Sequence, residues 1–280
     1  MLTFFQAVVL GALQGFTELF PISSLGHTVI LPSLLGWNVD QADPFFVSFL
    51  VLTHLATATV LFLFFLPDWV RIIKGFFTTF DTKQIAANTY ARFAWLIVVA
   101  TIPGGLLGLL FQKKLEALFA TPSIAAVFLI SNGLMLFFAE YLVRRRKTGG
   151  SAEDARIARM PWRSAFGIGL MQALALLPGF SRTGAALSGG LIAGLNHSDA
   201  ARFAFLLATP IILAAAILKV PHLVIGGGMP LIVALAGALS AAVFAYFSVK
   251  FLTRYFTTKS LTPFAVYCVF AGVVALALIA

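Results

Sequence analysis

The sequence predicts an all-α polytopic membrane protein, with six transmembrane helices plus two re-entrant helical hairpins in an inverted-topology repeat. Three observations carry that expectation. Hydrophobic residues make up 60% of the chain and charged residues 10%, with a mean hydropathy of +1.00, which excludes an ordinary soluble domain. Six apolar stretches are long enough for roughly 30 Å of hydrocarbon at about 1.5 Å per residue. Two further apolar stretches, 14–27 (QGFTELFPISSLGH) and 172–190 (QALALLPGFSRTGAALSGG), are each broken by a proline and carry polar residues at the break. Broken helices in corresponding places of two halves point to a binding site where the halves meet.

Residues 4–35 are apolar but interrupted at Pro21 and Pro32, with Gly15 and Gly26 among them and Gly36 just beyond. They predict a hairpin of two half-helices that enters and leaves by one face. A full span follows at 44–66 and carries His54, with Thr53 and Thr57 beside it. The segment 67–92 reads as a polar, partly amphipathic loop holding Arg71, Lys74, Lys83 and Arg92. Spans at 93–111 and 122–143 come next, the second ending in the basic cluster 144–147, and 149–160 reads as a polar linker. The second hairpin is expected over 162–195. Spans at 200–219, 229–252 and 262–280 complete a single membrane domain of residues 1–280, with repeat one over about 1–147 and repeat two over about 160–280.

A formal net charge of +9 suggests nucleic acid in a soluble chain, but no nucleic-acid-binding motif accompanies it. The basic residues sit in short loops between apolar spans, where they set topology. With each hairpin returning to its own side, fifteen Lys and Arg residues fall on one side and three on the other, Arg182 being set apart as a site residue. The basic side is therefore expected to be cytoplasmic, with both termini outside. The first hairpin then enters from outside and the second from the cytoplasm. The first basic residue is Arg71, so no basic n-region of a cleaved signal peptide is present and the first segment is expected in the mature protein. Cys268 is the one cysteine; it gives no disulfide or thiolate cluster and reads as a packing residue.

Chemistry is expected where polar groups interrupt hydrocarbon. Glu18 is the one acidic residue before Asp40, and an ionised carboxylate in a bilayer costs about 2.5–3.5 kcal/mol. Gln14 shares its helical face. The plain alternative, a carboxylate among headgroups, leaves Gln14, Ser24 and His27 unexplained. His27, three residues after Ser24, is the acid or base candidate, while His54 reads equally well as structural. Arg182 cannot deprotonate and presents a planar fork suited to phosphate oxygens. Gly179, Gly184, Gly189 and Gly190 allow close backbone approach around it, Ser181 and Thr183 add hydroxyls, and a half-helix starting there aims N–H groups at an anion. Glu140 with Arg144 reads as an i,i+4 pair at a membrane boundary.

The two broken stretches resemble the bacterial undecaprenyl-diphosphate phosphatases of the bacitracin-resistance type. That family's first motif, Glu or Gln, three residues, Glu, then Pro-x-Ser-Ser-x-Gly-His, is matched by Gln14, Glu18, Pro21, Ser23, Ser24, Gly26 and His27. Its second, Pro-Gly-x-Ser-Arg-Ser/Thr-Gly, is matched by Pro178, Gly179, Ser181, Arg182, Thr183 and Gly184. The resemblance covers essentially the whole chain. The sequence differs where the family commonly has Glu at Gln14, Thr at Leu25, an acidic residue at Leu50 and Thr at Ala186.

The resemblance implies hydrolysis of a C55 polyprenyl diphosphate to the monophosphate and inorganic phosphate, on the outer face of the bacterial inner membrane. That reaction regenerates the lipid carrier for peptidoglycan and other envelope polymers. It also implies a divalent cation, Mg2+ or Ca2+. Glu18, Ser24, His27 and Arg182 are the expected catalytic set. Gln14, Ser23, Gly179, Ser181, Arg182, Thr183 and Gly184 are expected to bind the diphosphate, and Glu18 with Gln14 to hold the metal. A single carboxylate is few for a tight cage, so the ion is expected to be bridged by diphosphate and water. Two routes stay open: Ser24 activated by His27, through a phosphoserine, or a water activated by His27 or Glu18. The competing class is a flippase or transporter of the same lipid, without hydrolysis. The expected partners are this lipid and the bilayer, with no nucleic acid; no residue argues for a homodimer, although one is open to such a chain.

Overall fold

The computed structural model describes residues 2–37, 39–40, 43–79, 85, 88–118, 121–144, 152–225 and 231–279, with the side chains of 112–118 and 217–225 left aside. Lys83, Lys113, Lys114, residues 145–147, Lys219 and the glycine-rich 226–230 therefore lie outside what is described, and the full charge tally with them. Every regular element among the described residues is helical.

Helix starts follow the expected chemistry. Helix α1 (Phe4–Thr17) opens with a capping box between Thr3 and Gln6. Ser23 caps α2 (Ser24–Leu34), Asp43 caps α3 (Pro44–Phe64), and α4 is Leu66–Phe77. Helix α5 is Thr89–Leu118 and α6 is Pro122–Val143. A short α7 (Asp154–Ala158) precedes α8 (Trp162–Ala173) and a 3-10 turn at Leu174–Leu176. Ser181 caps α9 (Arg182–Ile192), followed by α10 (His197–Ile225), α11 (Leu231–Tyr255) and α12 (Thr262–Ile279). Side-chain oxygens and prolines at first helical positions satisfy or remove N–H groups that lack intrahelical partners.

Among the described residues six helices are long and apolar enough to cross a membrane: Pro44–Phe64, Thr89–Phe111, Pro122–Val143, His197–Ala216, Leu231–Tyr255 and Thr262–Ile279. Their outward faces are apolar too, with Leu109, Leu110, Leu134, Phe138, Ile232, Leu239 and Phe270 exposed. Only lipid makes such a surface inexpensive. The chain is a multi-pass membrane protein.

Several boundaries move. Pro32 does not end α2, which runs on to Leu34, and the span expected at 93–111 is part of the longer α5, Thr89–Leu118. The segment expected to be a loop at 67–92 contains α4, whose Trp69, Ile72 and Gly75 are buried while Val70, Ile73 and Phe77 are exposed. The linker also has structure: Asp199 pairs with Arg156 and accepts from the Glu153 N–H at 2.7 Å, and Arg202 reaches Asp154 at 2.7 Å and Asp68 at 2.8 Å. These ion pairs tie α4, α7 and the start of α10 together at one end of the molecule.

Packing pairs the short helices with distant spans. Helix α1 lies on α11, and α8 lies on α5. Both contacts are backbone-close: a Cβ added at Gly15 would come within 2.1 Å of the Ala241 carbonyl oxygen, and one at Gly169 within 2.3 Å of that of Ala100. Small residues provide this approach where hydrophobic burial drives nothing. Helices α6 and α12 form a third such pair, and α3 packs on both α10 and α11. The result brings the turn between α1 and α2 against the turn between α8 and α9.

Candidate active site

Helix α1 ends at Thr17 with Glu18 as its C-cap, and α2 begins at Ser24, so residues 18–23 form the first turn. Ser23 is the one non-glycine residue at positive φ among those described, at 69°. It sits there because its oxygens close the turn: Oγ accepts from the Gly26 N–H at 3.2 Å, and its carbonyl receives the His27 ring at 2.6 Å. Strain of this kind persists only where surrounding contacts over-determine it. The second turn depends on Gly179 at φ 100°. A side chain there is doubly excluded, since a Cβ would come within 2.2 Å of the Ala125 carbonyl oxygen on α6.

One residue on α6 holds both turns. The Asn132 amide donates to the Pro21 carbonyl at 2.9 Å, and its oxygen accepts from the Ser181 N–H at 3.0 Å. Ser181 Oγ in turn donates to the Phe20 carbonyl at 3.3 Å and caps Gly184 N at 3.0 Å. Thr183 Oγ1 donates to the Glu18 carbonyl at 3.0 Å. Buried backbone groups that neither short helix can satisfy internally thus find partners across the pair.

Glu18 is the hub. Its Oε1 receives a short charge-assisted bond from Arg182 Nη2, 164 residues away in the chain. Its Oε2 accepts from Gln14 Nε2 at 2.9 Å and, in a very short bond, from the Ser24 hydroxyl. His54 Nε2 faces the same oxygen at 3.4 Å. His54 Nδ1 lies 2.8 Å from the Leu50 carbonyl, which fixes the ring with Nε2 turned toward Glu18. Arg182 also reaches the Ala208 carbonyl at 3.4 Å.

These groups open onto a cavity of about 300 Å³. Glu18, Ser23, Ser24, His54, Gln172, Ser181 and Arg182 give its polar lining, and Leu25, Val51, Leu176, Phe180, Ile211 and Ile212 an apolar wall. A charged, hydroxyl-bearing end joined to an apolar wall fits an anionic headgroup on a hydrocarbon tail. Helices α2 and α9 both begin at this lining, so two helix N-termini favour the anion.

Not every expected residue reaches the cavity. Gln14 is fully enclosed and supports Glu18 from behind. Thr183, Gly179 and Gly184 build the second turn and stay outside the lining. His27 is also elsewhere: its Nδ1 is taken by the Ser23 carbonyl and its Nε2 lies 2.7 Å from the Tyr267 hydroxyl, with the two rings stacked. Both nitrogens are engaged in holding the turn against α12, and neither faces Ser24. His54 faces Glu18 instead, and Asn132 joins the two turns; a lone polar residue midway along an apolar span was the available signal for each.

The residues present do not form a cage for a metal ion. Among the described residues no group of three or more His, Cys, Asp or Glu side chains converges. Both oxygens of the single carboxylate are already engaged, by Arg182 on one and by Gln14 and Ser24 on the other.

The chain matches the family model for bacitracin resistance protein BacA over residues 7–274. A protein from Mycolicibacterium paratuberculosis named undecaprenyl-diphosphatase is 47% identical, over 97% of this chain and 95% of its own length. One of that name from Acidiphilium cryptum is 46% identical over 98% and 97%. One from Chromobacterium violaceum, undecaprenyl-diphosphatase 2, is 44% identical over 97% of both. With both broken turns, their glycines and the Glu18–Arg182 pair inside the matched region, the chain belongs to the bacitracin resistance protein BacA family.

Proposed function

We propose that this protein hydrolyses undecaprenyl diphosphate to undecaprenyl phosphate and inorganic phosphate. The observation that carries the reading is the Ser24 hydroxyl donating to Glu18, beside Arg182, at the head of a cavity with an apolar wall. A flippase needs a charged clamp for the headgroup but no acid–hydroxyl pair. Recycling of this carrier serves peptidoglycan and other envelope polymers, and a larger supply of the monophosphate fits the bacitracin-resistance name of the family.

In the proposed reaction the diphosphate draws the Arg182 fork onto its oxygens, releasing the Glu18 carboxylate to act as base. Ser24 Oγ attacks the terminal phosphorus in line with the bridging oxygen. The Oγ–P bond forms, its proton passes to Glu18, and the bridging P–O bond breaks, so that undecaprenyl phosphate leaves with the electron pair. Glu18 passes that proton to the departing undecaprenyl phosphate. As a carboxylate again, with His54 beside it, it deprotonates the water that attacks the phosphoserine phosphorus. The proton returns to Ser24 Oγ as the Oγ–P bond breaks and inorganic phosphate leaves. Ser23 borders the same space and adds a hydroxyl donor. A divalent cation would supply charge neutralisation to the diphosphate, with Glu18 the protein carboxylate nearest to it.

Helix pairing supports the inverted-topology repeat: the first short helix of each half packs on the second span of the other, α1 on α11 and α8 on α5. The same reading makes α1–α2 and α8–α9 re-entrant hairpins, with the cavity open to the outer face of the bacterial inner membrane and both termini outside.

The experiment is phosphate release from farnesyl or undecaprenyl diphosphate by detergent-purified protein, with Mg2+ or Ca2+ present. Wild type should release phosphate and become labelled from a terminally labelled substrate, and Ser24→Ala should do neither. A folded wild type that binds the lipid without releasing phosphate overturns the reading.

A further inference from the structure

We propose that Gln172 holds the phosphate that departs with the lipid, and so separates the leaving-group subsite from the terminal phosphate at Ser24 and Arg182. The inference rests on the hydrolase reading above. Gln172 is 3% exposed and lines the cavity, yet among the described residues neither its Nε2 nor its Oε1 has a hydrogen-bond partner. Its counterpart in the first stretch, Gln14, spends its amide nitrogen on Glu18. A buried amide without partners is costly, and Gln172 is tolerated if its partner comes with the ligand.

Placement selects the phosphate. Gln172 ends α8, next to Ala173, Ala175 and Leu176, which belong to the apolar wall. Gly104 on α5 leaves room before the amide: even a Cβ there would stand 3.7 Å from Nε2 and 3.8 Å from Ile211 Cδ1. The amide thus lies where the polar lining gives way to hydrocarbon, as the proximal phosphate of a polyprenyl diphosphate does. There Nε2–H donates to a non-bridging oxygen whose charge grows as the bridging bond breaks, a donor aimed at the transition state.

Farnesyl diphosphate serves as substrate, with farnesyl monophosphate and inorganic phosphate as competing inhibitors. For Gln172→Leu, kcat/KM should fall about 10- to 100-fold and inhibition by farnesyl monophosphate weaken about 10-fold, while inhibition by inorganic phosphate stays within about 2-fold. The melting temperature should not fall, because an orphaned polar group has been removed. Gln172→Glu keeps the shape and opposes the anion, so it should lose monophosphate inhibition further. Unchanged monophosphate inhibition, or equal weakening of both inhibitors, overturns the assignment. A Gln172→Leu protein that unfolds or melts earlier overturns it too, since the amide would then be holding the fold. Failure of wild type to release phosphate sinks the hydrolase reading itself and is seen before any variant is compared.

Discussion

His54 Nε2 lies 3.4 Å from Glu18 Oε2, the oxygen that also receives the Ser24 hydroxyl. His27, only three residues from Ser24 in sequence, is held away from it by the Ser23 carbonyl and the Tyr267 hydroxyl. Replacing His54 by Ala should therefore lower kcat by about 10²-fold or more, the range of a lost acid–base group. His27→Ala should lower the melting temperature and leave kcat of the remaining folded protein within about 10-fold. Steady-state phosphate release beside a thermal melt decides it; the opposite ranking would make His27, not His54, the imidazole that assists Glu18.

Asn132 should be the most sensitive position that never meets substrate. Asn132→Leu keeps the volume but strands the Pro21 carbonyl and the Ser181 N–H, each costing about 1–3 kcal/mol when left unpaired and buried. Both stability and kcat/KM should fall, because the two turns lose their shared support. Asn132→Asp retains the acceptor for Ser181 N but buries a carboxylate oxygen against the Pro21 carbonyl, so its melting temperature should fall at least as far as that of Asn132→Leu. An Asn132→Leu protein as stable and active as wild type would show that the remaining contacts suffice to join the turns.

What sequence reveals here depends on whether a partner is local. The breaks at Pro21 and Pro178, the Glu18 and Arg182 charges and the six spans are properties of short windows, and they emerge without knowledge of contacts. Pairings are different. Nothing within a few residues of His54 distinguishes it from a structural histidine, and nearness in sequence favoured His27. Glu140 looked like the partner of Arg144 one turn on, yet it accepts from His197 Nε2 at 2.9 Å and from the Leu261 N–H at 3.0 Å. Ala186, where the family resemblance leads to the expectation of a hydroxyl, is buried and absent from the cavity lining. Pro32 reads as a break but sits inside a continuous helix, because packed neighbours can offset one lost backbone bond.

Two glycines at positive φ should respond differently to the same change. Gly36, at φ 63°, has nothing within 4 Å of an added Cβ, so Gly36→Ala carries only the backbone term of about 1–2 kcal/mol. Gly179→Ala adds a collision with the Ala125 carbonyl and the Leu129 N–H of α6, neither of which can swing away. It should yield little folded protein, and the survivors should be inactive because the turn carrying Arg182 has moved. Size-exclusion recovery and activity of the two variants, purified in parallel, test this; equal recovery would mean that α6 yields more readily than its backbone contact allows.

The crowding of Glu18 predicts how metal dependence should look. A cation resident on the protein needs an unengaged carboxylate oxygen, and Glu18 has Arg182 on Oε1 and Gln14 and Ser24 on Oε2. Hard divalent ions seek several oxygen ligands, and the diphosphate supplies more of them than the protein does. Substrate-free protein should therefore retain no stoichiometric Mg2+ or Ca2+ in equilibrium dialysis, and chelation should leave its melting temperature unchanged. Activity should still rise with added cation, and the concentration needed for half-maximal rate should fall as polyprenyl diphosphate is increased, because ion and headgroup bind as one unit. A protein-held ion makes the opposite pattern: retention without substrate, a lower melting temperature after chelation, and a half-maximal concentration independent of lipid. That result would require Arg182 or Ser24 to give up its place on Glu18 before substrate arrives.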